Sequence, residues 1–186
     1  MKHCFIFFLT VLWIVTFSQQ VVPQDQKASS KGFADNKSLK IETPGDWKIS
    51  QSETDRAIII TITPEAAQNF RLQITAIPIA NLKPDANTPE QLKILAQQMG
   101  QSLLGGAEEK EVSLMEIKID HGTAYTFRLT DKTAKPEQRK YITQLIVGID
   151  GAVIFMNFSS VEKDSDEEKK VFEIAKTIQL VKVNRT

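Results

Sequence analysis

Apolar and polar positions alternate with period two in several stretches of this chain, and the period lengthens to three and four in two others. Residues 141–160, YITQLIVGIDGAVIFMNFSS, organise the rest. They read as two strands joined by Asp150-Gly151, a dipeptide that tolerates the positive φ a tight hairpin turn requires. A two-residue turn fixes the register. Ile149 then faces Ala152, Val147 faces Ile154 and Leu145 faces Met156 on one side, while Ile146 faces Phe155 and Gly148 faces Val153 on the other. Both faces are apolar, and burial is worth about 1.5–3 kcal/mol per large side chain. Neither face is stable in water, so the hairpin is predicted to be central, with a layer on each side.

Further strands are predicted at 39–42, 47–49, 57–63 and 71–79, the last leaving the sheet at Pro78, which has no ladder donor. Residues 110–120 form another; Val112 and Leu114 are out of phase with Met115, Ile117 and Ile119, which suggests a bulge near Leu114-Met115. In 123–130, Tyr125, Phe127 and Leu129 alternate with Thr126, Arg128 and Thr130, so this strand is expected to be the less covered one. Thr88-Pro89-Glu90-Gln91 has the signature of a helix start. Leu92, Leu95, Ala96, Met99 and Leu103 give that helix one apolar stripe, closed by Gly105-Gly106. Ser165-Asp166-Glu167-Glu168 begins a second helix with Val171, Ile174, Ala175 and Ile178 on its buried side. The fold class is therefore α+β: an antiparallel sheet with helices on both faces, an α/β/α sandwich. Residues 182–186 are read as a frayed end.

Composition adds the compartment. The 186 residues are 41% hydrophobic and 25% charged, which suits one globular domain. Met1-Lys2-His3 followed by an apolar run over 4–17 and the small residues Thr16 and Ser18 is a signal-peptide pattern, too short for a membrane span. The expected division is a signal peptide at 1–18, a flexible linker at 19–38 and a single domain at 39–183. The only cysteine, Cys4, lies inside the leader, which leaves the mature chain without thiol chemistry. Without Lys2 the chain has 22 basic residues against 23 acidic, and so near a balance gives no electrostatic reason to expect nucleic acid or an anionic membrane as partner. Localisation is expected to be secreted or periplasmic, with membrane contact only through an uncleaved leader.

Candidate chemistry is sparse. His121 is the one histidine after the leader, in a turn, with no triad pattern around it. The acidic run from Glu162 to Glu168 lacks the alternating ligands and central glycine of a calcium loop and reads as a helix start. No metal or cofactor is expected. The long polar connection at 131–140 carries Lys132, Lys135, Arg139 and Lys140, a candidate surface for an acidic protein partner. The hairpin register sets Gln144 opposite Asn157 on an otherwise apolar face; the two amides should bond each other or nearby backbone. Alternatively they mark a polar spot in a pocket near Trp47, which otherwise anchors the entry to the sheet.

The order of elements, with IETPGDWKIS at 41–50 and GIDGAVIFMNFSS at 148–160, resembles the PsbP-like (Mog/PsbP) superfamily over about 39–181. Ile41 stands where that family usually has an aromatic residue, and Gln179-Leu180 where a Ser-Phe often closes the last helix. The resemblance implies an α/β/α sandwich and an accessory or binding role rather than catalysis. The expectation is an exported, non-catalytic module of the cell envelope acting through protein-protein contacts. The alternative is a carrier of a small apolar ligand held between sheet and helix.

Overall fold

The computed structural model describes residues 28–29, 37–54, 57–65, 70–120 and 122–182. The predicted signal peptide and His121 lie outside them. In chain order the strands are β1 (Ala28–Ser29), β2 (Lys37–Lys40), β3 (Trp47–Glu53), β4 (Ile58–Pro64), β5 (Arg71–Pro78), β6 (Met115–Ile119), β7 (Gly122–Thr130), β8 (Tyr141–Ile149), β9 (Ala152–Ser160) and β10 (Gln179–Lys182). The helices are α1 (Pro89–Leu103) and α2 (Asp166–Thr177).

Seven strands form one antiparallel sheet in the order β3-β4-β5-β9-β8-β7-β6. The β8–β9 hairpin is therefore interior, in the register read from the sequence: Ile149 pairs with Ala152, Val147 with Ile154 and Gln144 with Asn157. Of the two turn residues only Gly151 takes a positive φ, 82°, so the turn depends on its glycine alone.

Helix α2 packs on one face, where Val171, Ile174 and Ala175 join Ile60, Ile74, Leu145, Val147, Ile154 and Met156 in the larger core. Helix α1 lies on the other face, where Leu92 and Ala96 meet Tyr125, Phe127, Leu129, Ile146 and Val153. The architecture is the expected α+β sandwich with a helix on each face. Both helices start where the sequence places them: Gln91 N donates to Thr88 Oγ1 at 3.4 Å, and Glu168 N donates to Ser165 Oγ at 3.2 Å.

Three local expectations are corrected. Residues 110–114 are not strand; Val112 and Leu114 pack on the α1 side while Met115, Ile117 and Ile119 share the opposite parity in β6, so the phase change is a crossing between layers and not a bulge. The segment read as a linker contains β1 and the first residues of β2, and the end read as frayed begins within β10. Strands β1, β2 and β10 form a second small antiparallel sheet. Leu39 and Leu180, paired across it, add apolar cover to the α2-side core, and backbone ladder bonds suffice to hold the polar residues beside them. Last, the polar side of β7 is covered: Thr126 and Thr130 are buried.

Candidate functional site

Three buried threonines of the sheet, Thr126, Thr130 and Thr143, are held by groups distant in sequence. Thr126 Oγ1 donates to the Gln144 carbonyl at 2.9 Å. Arg128 reaches over to helix α2: its Nη2 donates to Asp164 Oδ1 at 3.0 Å and to Glu168 Oε1, while Nε donates to Thr143 Oγ1 at 3.4 Å. Glu168 is 1% exposed, and its second carboxylate oxygen accepts from Asp164 N at 2.9 Å, a residue at φ 59°. Burial works against the charged guanidinium, and Glu168 and Asp164 outweigh it and raise the Arg128 pKa. This cluster fastens the start of α2 to β7.

The basic loop at 131–140 is an ordered element. Its ends are joined by Asp131 N donating to the Lys140 carbonyl at 2.8 Å, and Lys140 N continues to the Ser160 carbonyl at 2.9 Å. Asp131 Oδ1 accepts from Thr133 N at 2.8 Å and Thr133 Oγ1 at 2.7 Å. Those bonds lower the Asp131 pKa, the backbone donor contributing most. Lys132 Nζ donates to the Gly105 carbonyl and Lys132 N to that of Gly106 at 3.1 Å, so this ammonium sits at the negative end of α1. Lys140 pairs with Glu108 at 3.2 Å. Lys135 and Arg139 are exposed, and Lys135 N donates to Gln138 Oε1 at 3.0 Å. Of the four basic residues singled out from sequence, Lys132 and Lys140 hold the loop in place and Lys135 and Arg139 stand on its outer surface.

Neighbouring Glu109 accepts from Thr130 N at 2.8 Å and Thr130 Oγ1 at 2.7 Å. Burial pushes its carboxyl up, and the Thr130 bonds outweigh that and leave its pKa below the ordinary value.

Trp47, Gln144 and Asn157 do not form one pocket. Trp47 is 2% exposed on the α2 side, in a row with Phe70 at 5.7 Å and, through it, Phe158 and Phe172; Lys170 Nζ lies 5.8 Å from its ring centroid. Gln144 and Asn157 lie on the α1 side, because their neighbours in β8 and β9 with the opposite parity fill the α2-side core. The two amides face each other without bonding. Gln144 Oε1 and both side-chain polar atoms of Asn157 are buried without partners, as is Thr75 Oγ1, so the expected hydrogen-bonded pair is not made. Nor is a ligand space left where α1 crosses Gly148: a Cβ there would collide with Leu92 Cδ1 and lie 2.7 Å from the Asn87 carbonyl oxygen.

No family model matches the chain, and no curated protein matches it by sequence. Among solved structures, that of a cyanobacterial PsbP, CyanoP from Synechocystis, superposes with a TM-score of 0.52 at 14% identity, covering 90% of this chain and 99% of that one. The fold is PsbP-like. A second structure, LpqN, involved in cell envelope biogenesis of Mycobacterium tuberculosis, superposes at a TM-score of 0.44 and 16% identity, over 83% of this chain and 90% of that one.

Within this PsbP-like fold, sequence reasoning misses the charged contacts that cover the threonine-bearing face of β7. Glu109 and Arg128 are the residues overlooked. Each carries a charge toward a threonine-bearing β7 face that alternation alone marks as solvated. The available signal is an Arg in the middle of a strand, where an unpaired charge is costly and a carboxylate partner must exist. Among the described residues no three His, Cys, Asp or Glu side chains gather as a metal site, and no helix is long and apolar enough to cross a membrane.

Proposed function

We propose that this protein is an exported, non-catalytic accessory module of the cell envelope, and that it acts by presenting the loop at 131–140 to a protein partner. One observation carries the reading: the loop is ordered before any partner arrives, held by Asp131, Lys132 and the Lys140–Glu108 pair, with Lys135 and Arg139 exposed. A loop already in its bound shape loses little entropy on docking. Two outward cations favour an acidic patch on the partner. The PsbP-like fold and the apolar leader support an extracytoplasmic accessory role.

A photo-crosslinking side chain at Glu137, exposed at the loop tip, tests the proposal in the native compartment. A discrete crosslinked protein is expected, lost when Lys135 and Arg139 are both changed to Ala. A yield no higher than from a probe at exposed Lys83, or one indifferent to those changes, contradicts it.

A further inference from the structure

Among the described residues the large sheet ends in two edge strands with no further pairing partner, β3 and β6. An edge strand presents unpaired backbone groups, and soluble proteins usually blunt it. β6 is short and carries a lysine, both devices of that kind, but its pattern also matches itself. Along Met115–Ile119, MEIKI, the apolar residues Met115, Ile117 and Ile119 share one parity and the charged residues Glu116 and Lys118 the other. Met115 is 61% exposed, the most exposed large apolar side chain among the described residues. Lys118 is exposed.

We propose that β6 pairs antiparallel with β6 of a second copy of this chain, joining two sheets into one. With the two-fold axis at Ile117, Glu116 lies opposite the second copy's Lys118, Lys118 opposite its Glu116, and Met115 opposite its Ile119. Both cross-strand charge pairs are attractive, and apolar residues meet only apolar ones. The neighbouring registers fail. An axis at Glu116 or Lys118 sets like charges against each other, and a one-residue slip sets charge against the apolar side. The other edge has no such symmetry: pairing β3 about Ser50 puts Lys48 against Ser52 and exposed Ile49 against Gln51. An interface of five residues per strand is small, which makes this a weak, concentration-dependent dimer.

Sedimentation equilibrium across micromolar to millimolar concentrations tests it, with far-ultraviolet circular dichroism confirming that each variant is folded. The native protein is expected to dimerise. Glu116→Lys and Lys118→Glu should each weaken the dimer roughly tenfold or more by setting like charges opposite one another. An equimolar mixture of the two variants should associate again, since the lysine introduced in one chain then lies opposite the glutamate introduced in the other. Lys118→Glu leaves the Glu116 bond to Tyr125 in place, so its result is free of any folding effect from that bond. A protein that stays monomeric throughout, a dimer indifferent to both changes, or a mixture no tighter than its components overturns the proposal.

Discussion

The two faces of the sheet carry similar polar residues and treat them oppositely. On the α2 face Thr126, Arg128, Thr130, Thr143 and Ser160 interrupt the core, and each meets a partner, from the Gln144 carbonyl to Glu168 and Glu109. On the α1 face Gln144, Asn157 and Thr75 hold buried polar atoms that meet none. Trp47 Nε1 is the one comparable orphan on the α2 face among the described residues. Coverage explains the difference. Helix α2 brings its own charged first turn to the strands, whereas α1 lies over β7 and β8 with an apolar stripe and has nothing to offer an amide on β9. A buried polar group costs about 1–3 kcal/mol when unpaired. The α2 face is therefore the stabilising one, and the α1 face contains stored instability.

Breaking the charge cluster on the better satisfied face should have the largest effect. Arg128→Met leaves the buried Glu168 carboxylate without its main partner and is expected to cost about 3 kcal/mol in urea unfolding, while Arg128→Met with Glu168→Leu should recover most of it. On the other face, Gly148→Ala drives a methyl into Leu92 and the Asn87 carbonyl, an overpacking that should cost about 1–3 kcal/mol by the same measurement. Asn157→Val sharpens the contrast in the opposite direction: it removes two orphaned polar atoms from a strand interior and should stabilise the fold by about 1–2 kcal/mol. A loss of stability there would mean that the amide is satisfied.

The smallest effect is on pH. Glu109 has a folded pKa below its unfolded value, so its contribution to stability is present in full above the unfolded pKa and is lost as pH falls through the folded one. Glu109→Gln should therefore lower stability at neutral pH and flatten the acid limb of the stability profile. Crosslinking from the loop at 131–140 should weaken over the same acidic range, because Asp131 shifts in the same direction.

What the sequence makes legible follows from what is local. Asp150-Gly151 sets the hairpin register, and Thr88 and Ser165, bonding three residues ahead, set the helix starts. Parity within a strand is equally readable. Parity between strands is not, because it depends on register across long connections, and so a sequence reading groups Trp47 with amides that lie on the opposite face. Polarity is also misleading where the partner is remote: Arg128 meets Glu168 forty residues away and Thr130 meets Glu109 across twenty-one, so β7 looks solvated when it is not. The small sheet escapes notice because backbone pairing between β2 and β10 needs no pattern in the side chains.

Native-state hydrogen exchange at the β8–β9 hairpin is the most direct measurement of the whole arrangement. With both sides sealed and pairing partners on both flanks, amides from Leu145 to Val147 and Val153 to Met156 should exchange only through global unfolding, while those of edge strands β3 and β6 open at much lower free energy. Hairpin amides that exchange as readily as the edges would show that the centre of the molecule lies elsewhere.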